Sequence, residues 1–154
     1  FYKVNSVYLC IDEGDFYIQN HYYKFTFAEE DKIAEDGTSV VAALDEAGNV
    51  IGHVVVNTAK GYGGDISVMT GVDSEGKVTG VDILSISETP GLGANAEKDS
   101  FLSQFVNKIF GITVTKNAPA ENEIKALTGA TITSNAVTKA VNAAIEASGG
   151  ENVG

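Results

Sequence analysis

Arginine is absent from this chain: all ten basic side chains are lysines. The guanidinium group is the side chain that holds a phosphate or a carboxylate through two parallel hydrogen bonds, so contacts of that kind are excluded. Any phosphate bound here must be held by lysines, by hydroxyl groups or by backbone N–H groups. This increases the weight of helix N-termini as candidate binding sites.

Cysteine is nearly absent as well. Cys10 is the sole cysteine, which excludes an internal disulfide and any Cys-x-x-Cys or Cys/His cluster, and we expect it to be a small packed residue. His21 and His53 are far apart in the sequence, and no Ser-His-Asp or Cys-His arrangement stands out. The sequence therefore predicts neither a catalytic side chain nor a metal site.

No segment is apolar over a length that could span a bilayer. The 21 acidic residues outnumber the basic ones and give a net charge of -11, which argues against nucleic acid or an anionic membrane surface as a direct partner. Because the chain begins at Phe1, we expect it to be a piece excised from a longer protein, with any membrane anchor removed.

The chain is rich in short β-prone segments separated by turn residues, and its 154 residues suit one domain. The segment Asp45–Gly52 resembles the segment Asp73–Gly80. In each, an aspartate at the start of a turn and a glycine near its end favour the turn. Two successive β-hairpins are predicted, joined by Gly61–Gly64. Their strands are expected at residues 40–44, 54–57, 66–72 and 81–86.

Two later segments have the spacing of amphipathic helices. The first covers 97–107, and the second begins near Ser134, runs to about Ala147 and ends at Ser148-Gly149-Gly150. A short strand at 112–115 and a loop containing Pro119 lie between them. The predicted fold class is α+β, an antiparallel sheet built from two hairpins with two packed helices.

The predicted organisation has three parts. Residues 1–39 form an aromatic and acidic arm that packs on the domain, residues 40–148 form the domain, and residues 149–154 are a tail. The alternation from Tyr23 to Phe27 predicts a half-exposed strand within the arm. Core packing explains the aromatic cluster of the arm better than a ligand platform does.

The segment Thr128-Gly129-Ala130-Thr131 lies just before the last predicted helix. Backbone N–H groups at a helix start are unpaired, and the helix dipole makes that end partly positive. Gly129 and Ala130 allow a phosphate to approach the backbone, and the Thr131 hydroxyl is expected to face it. Thr133 and Ser134 are expected to supply a cap and further donors. The pattern alone fits a simple capped turn equally well.

Two glycine-rich loops are further candidates. In Ser87–Gly93, Pro90 and two glycines favour a tight loop that would present Leu92 to a planar ring, with Glu88 accepting a hydrogen bond from a ligand or from the loop. Gly61–Gly64 places Tyr62 beside flexible backbone, but no phosphate-binding P-loop or dinucleotide fingerprint occurs. Taken separately, each loop is better explained as a connection.

Taken in order, these three segments resemble the FMN-binding domain family of membrane redox complexes. The motifs are Gly61–Ile66, Glu88–Gly93 and Thr128–Ser134, and the resemblance covers roughly residues 40–147. It is closer to the G subunit of the Rnf electron transport complex, and more distant from the C subunit of the sodium-pumping NADH:quinone oxidoreductase.

The resemblance implies FMN as the cofactor, with Thr131 esterified to its phosphate by a flavin transferase that uses FAD as donor. It implies that residues 88–93, including Thr89, Leu92 and Gly93, line the ring with Tyr62 nearby. It also implies an electron carrier anchored on the extracytoplasmic face of the membrane, with the other membrane subunits of the complex as partners.

Two departures from the family pattern keep alternatives open. Lys125 occupies the place of a usual aspartate, and Ile86-Ser87 replace a segment that often contains histidine. The chain could instead be a surface-displayed flavin carrier of extracellular electron transfer, or a binding or scaffold module without flavin.

Overall fold

The computed structural model describes the backbone of residues 2–4, 7–9, 13–18, 21–27, 32–33, 38–44 and 49–149. Side chains are described for residues 38–43 and 49–149. The turn predicted at residues 45–48, the side-chain packing of the arm and the tail beyond Gly149 lie outside these ranges. The three-part domain organisation therefore stays a prediction.

The centre of the molecule is an antiparallel sheet in which consecutive strands are neighbours. The strands that belong to it are β3 (Glu13–Ile18), β4 (His21–Phe27), β5 (Lys32–Ile33), β6 (Ser39–Leu44), β7 (Val50–Lys60), β8 (Asp65–Asp73) and β9 (Val78–Ser85). Their order is β3-β4-β6-β7-β8-β9, with β5 also paired to β6. Two short strands near the N-terminus, β1 (Tyr2–Val4) and β2 (Val7–Leu9), pair with each other.

The strands of both predicted hairpins are confirmed, and they form one continuous meander. Because Lys60 pairs with Asp65, Gly61–Gly64 is itself a hairpin connection between β7 and β8. In the second predicted turn, the Asp73 carboxylate accepts hydrogen bonds from the N–H groups of Glu75 and Lys77. The strand predicted around Tyr23 is confirmed as part of β4.

One long helix, α2 (Thr131–Ala147), covers a face of this sheet. Its apolar stripe packs against β7 and β8, and it includes Val137, Val141 and Ile145, all fully buried. The rings of Phe101 and Phe105 complete the core, with their centroids 5.6 Å apart and their planes nearly perpendicular. The predicted α+β class is therefore confirmed. Within the described residues, no helix has the length and hydropathy needed to cross a membrane.

The helix predicted at 97–107 is not continuous. The structure has a 3-10 turn at Gly93–Glu97, a single α-helical turn, α1 (Asp99–Leu102), and a second 3-10 turn at Ser103–Phe105. The chain then leaves helical geometry because Asn107 and Lys108 exchange backbone hydrogen bonds with Val78 at the start of β9. Ile109, which follows this segment, is 52% exposed.

A two-stranded parallel pair follows, formed by β10 (Thr113–Thr115) and β11 (Glu123–Lys125). The strand β10 was predicted, whereas no strand was predicted at β11. Asn142 of α2 fastens this region to the helix. Its Oδ1 accepts from the N–H groups of Gly111 and Ile112 at 3.1 and 3.0 Å, and its Nδ2 donates to the Ile112 carbonyl at 2.9 Å.

Asn142→Ala is expected to lower the free energy of unfolding by about 1 kcal/mol, because it leaves these backbone groups without their side-chain partner at a partly solvated site. Asn142→Asp keeps the acceptor and loses the donor, so its effect should be smaller. Urea denaturation of the two variants checks the order. Equal stability of Asn142→Ala and the unmodified protein would contradict it.

Candidate functional site

A cavity of about 590 Å3 opens where three connections meet. They are the β7–β8 connection, the loop after β9 and the start of α2. The residues that line the cavity are Tyr62, Glu88, Thr89, Leu92, Gly93, Gly129, Ala130, Thr131, Ile132 and Thr133. The volume lies in the range of small-molecule sites.

The structure thus brings together most of the candidate site residues from all three sequence segments. Thr128 and Ser134 are the two candidates that do not line the cavity. Ile132 lines it and was not among the candidates. Its place in the sequence is the signal that could have identified it, because the residues on either side of it were both candidates.

The helix α2 begins earlier than expected. Thr131 is its first residue, rather than lying upstream, and Ala130 is the N-cap, with no hydrogen bond from a side chain. Gly129 has φ 71°, a left-handed conformation that glycine adopts without strain. This conformation turns the chain so that the Ala130 carbonyl accepts the first helical hydrogen bond, from Ser134 N at 3.0 Å. A polar N-cap near Ser134, as the prediction assumed, is therefore not needed.

The first turn of α2 presents backbone donors to the cavity. The N–H groups of Thr131, Ile132 and Thr133 precede the first helical hydrogen bond, and no acceptor for them is found in the described part of the chain. Together with the positive end of the helix dipole, such groups attract an anion. None of the described residues that line the cavity is a lysine. The partial positive charge of the backbone N–H groups is therefore what would attract an anion there.

The hydroxyl groups of this segment have different surroundings. Ser134 is fully buried; its Oγ donates to the Ala130 carbonyl and accepts from Leu127 N. Thr133 Oγ1 donates to Glu88 Oε1 at 2.7 Å. Neither acts as the cap that the sequence suggested. Thr131 is partly exposed at the cavity wall, and its hydroxyl has no hydrogen-bond partner among the described residues.

Glu88 is a buried carboxylate, 7% exposed, in the cavity wall. Besides Thr133, it accepts from Tyr62 N at 2.7 Å and from Gly63 N at 2.5 Å. We name this set of three hydrogen bonds the Glu88 bridge, since it joins the β7–β8 connection, the loop after β9 and α2. Burial alone would raise the pKa of Glu88, but the hydrogen bonds from Thr133, Gly63 and Tyr62 outweigh burial and lower the pKa below its ordinary value of 4.5.

Glycines surround this carboxylate closely. A Cβ atom at Gly61 would overlap Glu88 Oε1, and one at Gly63 would lie 2.8 Å from Oε2. At Gly93 a Cβ would lie 2.5 Å from Thr133 Oγ1 and 2.8 Å from the Glu88 Cβ. These glycines are therefore required by close approach to Glu88, in addition to any flexibility they give the loops.

The lowered pKa of Glu88 predicts how stability changes with pH. The unfolded chain has the ordinary value of 4.5 and the folded chain a lower one. The bridge therefore stabilises the folded state fully above the unfolded value, and this stabilisation is lost as the pH falls through the folded pKa.

Thermal unfolding measured from neutral pH to below 4.5 checks this behaviour. The stability difference between the unmodified protein and Glu88→Gln should shrink as the pH falls through that range. Taking the difference removes the contribution of the other carboxylates. A difference that stays constant across the range would contradict the prediction.

The outer rim of the cavity is apolar. Tyr62, Leu92 and Ile132 are 75%, 43% and 56% exposed. Large apolar side chains grouped around a cavity mark a binding surface. One end of the cavity thus suits an anion, while its rim suits a flat apolar group.

Lys125 lies on β11 with its side chain exposed. Its backbone is held by Gln104, whose Oε1 accepts from Lys125 N at 2.8 Å and whose Nε2 donates to Lys125 O at 3.2 Å. Lys125 does not line the cavity. The departure from the family pattern at Lys125 therefore does not change the lining of the cavity.

The fold and the cavity define a domain whose surface suits a ligand with an anionic end and a flat apolar body. The model of the FMN-binding domain family matches residues 61–146, and the chain belongs to this family. The expected family and the FMN cofactor are confirmed.

The relatives of the chain are subunits of larger complexes. It is 44% identical over 131 residues to the G subunit of the proton-translocating ferredoxin:NAD+ oxidoreductase complex of Clostridium ljungdahlii, covering 84% of this chain and 71% of the relative. It is 39% identical over 103 residues to the G subunit of the Na+-translocating complex of Acetobacterium woodii, covering 64% of this chain and 50% of the relative.

Two solved structures share the fold. One is the NqrC protein of Shewanella oneidensis, with a TM-score of 0.58 at 21% identity, covering 77% of this chain and 61% of that one. The other is the C subunit of the Na+-translocating NADH-quinone reductase of Parabacteroides distasonis, with a TM-score of 0.55 at 22% identity, covering 84% and 62%.

Proposed function

We propose that this chain is the electron-carrying FMN domain of an Rnf-type ion-translocating oxidoreductase, and that its FMN is attached through a phosphoester to Thr131. The observation that carries the proposal is the position of Thr131. Its hydroxyl lies at the cavity wall, on the first residue of α2 and beside backbone N–H groups that have no helical acceptor.

The geometry of the cavity fits FMN. The helix N-terminus can hold a phosphate through the N–H groups of residues 131–133, and Gly129 has no side chain that would obstruct it. The apolar rim of Tyr62, Leu92 and Ile132 offers flat contact area for the ring. The donors and the rim lie on one continuous cavity, as a ligand with both parts requires.

The other nearby hydroxyls are less suitable as attachment points. Ser134 is buried, and its hydroxyl both donates and accepts a hydrogen bond within the protein. The Thr133 hydroxyl donates a hydrogen bond to Glu88, and Thr128 does not line the cavity. Thr131 is left as the hydroxyl of this segment that reaches the cavity and remains available for reaction.

Attachment is proposed to be a phosphoryl transfer performed by a flavin transferase. The Thr131 oxygen forms a bond to the FMN phosphorus of FAD, the pyrophosphate bond breaks and AMP leaves. The hydroxyl proton passes to a base of the transferase. In this reaction the domain is a substrate, so no catalytic side chain is required of it.

When bound, FMN accepts and delivers electrons, and the protein orients it and controls its surroundings. Thr131 and the start of α2 would hold the phosphate end. Leu92 and Tyr62 would contact the ring, and the remaining candidates Thr89, Gly93 and Ala130 line the same cavity.

The proposal includes partners and location. The partners are supported by the names of the relatives, which are subunits of ion-translocating complexes. The other membrane subunits would exchange electrons with this domain, and the flavin transferase would meet it during maturation. An anchor would hold the domain on the extracytoplasmic face of the membrane.

Intact-mass measurement of the chain coexpressed with a flavin transferase tests the proposal. The expected result is a mass increase equal to one FMN less one water, located by peptide mapping at Thr131. Expression of the chain without the transferase is the matched control and should give the unmodified mass. An unmodified chain in the presence of an active transferase, verified on a second substrate, would overturn the covalent proposal.

A further inference from the structure

The Glu88 bridge connects segments that are far apart in the sequence. Glu88 is 26 residues from Tyr62 and 45 residues from Thr133. The residues it joins belong to separate segments of the cavity wall, because Tyr62 lies on the β7–β8 connection and Thr133 lies on α2. The attachment of FMN to Thr131 makes no use of this carboxylate, so the bridge has another role.

Only a carboxylate fits the three donors. Oε1 accepts from Tyr62 N and Thr133 Oγ1, while Oε2 accepts from Gly63 N. Glutamine at position 88 would place its NH2 group opposite one of these donors. That donor and the NH2 group would then both lack an acceptor. The glycines at positions 61, 63 and 93 make room for this carboxylate, since a Cβ atom at any of them would collide with Glu88.

Tyr62 is the residue whose position depends most on the bridge. It is 75% exposed at the rim of the cavity, and it lies between Gly61 and Gly63, where the backbone is least restricted. Side-chain packing therefore does not hold it. Among the contacts of this connection with the rest of the cavity, the two hydrogen bonds from Tyr62 N and Gly63 N to Glu88 fix its backbone.

We propose that Glu88 is a positioning residue that holds Tyr62 against the start of α2, and so controls how far solvent reaches the ring end of the cavity. This inference rests on the proposed attachment of FMN at Thr131. Without the carboxylate, the Tyr62 connection is free to move away from α2, and a ring held at Thr131 becomes exposed on that side.

Two measurements test this role. In the domain carrying FMN, iodide quenching of flavin fluorescence reports solvent access to the ring. In the domain without FMN, amide hydrogen exchange of Tyr62 and Gly63 reports the bridge directly. Glu88→Gln is expected to raise the iodide quenching constant several-fold and to speed exchange at both amides.

Thr133 provides a graded pair of variants. Thr133→Val removes the hydroxyl with little change in shape, so it should raise quenching to a lesser extent than Glu88→Gln. Thr133→Ser keeps the hydroxyl and should behave as the unmodified protein does. If Glu88→Gln does not fold, the contrast between the Thr133 variants still decides the question.

A matched control separates positioning from general loss of stability. Val141→Ala removes fully buried volume in α2 away from the cavity and should lower the unfolding temperature without changing iodide quenching. Quenching that rises equally in Val141→Ala, or that stays unchanged in Glu88→Gln and Thr133→Val, overturns the inference. Failure of the unmodified chain to acquire FMN would instead contradict the proposed function, and amide exchange would still decide the role of Glu88.

Discussion

Thr131→Ala is expected to abolish covalent attachment of FMN completely, because the acceptor oxygen is removed while the fold is kept. Thr131 is only partly buried, and its hydroxyl has no partner within the described residues, so its loss leaves no buried group unpaired. Alanine also has a higher helix propensity than threonine. The variant should therefore fold at least as well as the unmodified protein.

Matched variants make this result specific. Thr131→Ser keeps a hydroxyl at the same position and should retain attachment. Thr128→Ala removes the neighbouring exposed hydroxyl that does not line the cavity, and it should also retain attachment. Intact mass after coexpression with the transferase reads out all three variants. FMN still attached to Thr131→Ala would assign the acceptor to another residue.

Gly93→Ala is expected to lower the free energy of unfolding by about 3 kcal/mol, near the upper end of the usual cost of overpacking. The new Cβ would lie 2.5 Å from Thr133 Oγ1 and 2.8 Å from the Glu88 Cβ. Both neighbours belong to the Glu88 bridge and cannot move without breaking it. Denaturant unfolding measures the effect, and the same variant should widen the cavity mouth.

Gly91→Ala in the same loop is the control for that prediction. A Cβ at Gly91 meets no atom within 4 Å, but the position has φ 76°. The expected cost is about 1 kcal/mol, from backbone strain alone. If Gly93→Ala were no more destabilising than Gly91→Ala, the prediction that close packing around Glu88 excludes a side chain at Gly93 would be wrong.

The parts of the site that depend on local chemistry could be predicted from the sequence. Gly129 and the small residue after it indicated a helix start with accessible backbone, and the structure places Thr131 there. The turn residues of Asp73–Gly80 predicted the β8–β9 connection, and the apolar spacing of α2 predicted its buried stripe. Each of these signals is contained within a short stretch of neighbouring residues.

The parts that depend on distant contacts could not be predicted. Glu88 was proposed to accept a hydrogen bond from a ligand or its own loop, but its partners come from 25 to 45 residues away. The helix predicted at 97–107 is broken by backbone pairing with Val78, which no local pattern contains. The short strand β11 exists because β10 and Gln104 lie beside it.

The crowding of glycines around Glu88 also bears on how such a domain can change over generations. A side chain at Gly61, Gly63 or Gly93 would collide with Glu88 and its neighbours, and shortening Glu88 leaves three donors unpaired. The four positions are therefore strongly epistatic, since contacting residues do not contribute additively. A single substitution that adds a side chain at one of these glycines or shortens Glu88 is therefore expected to lower stability.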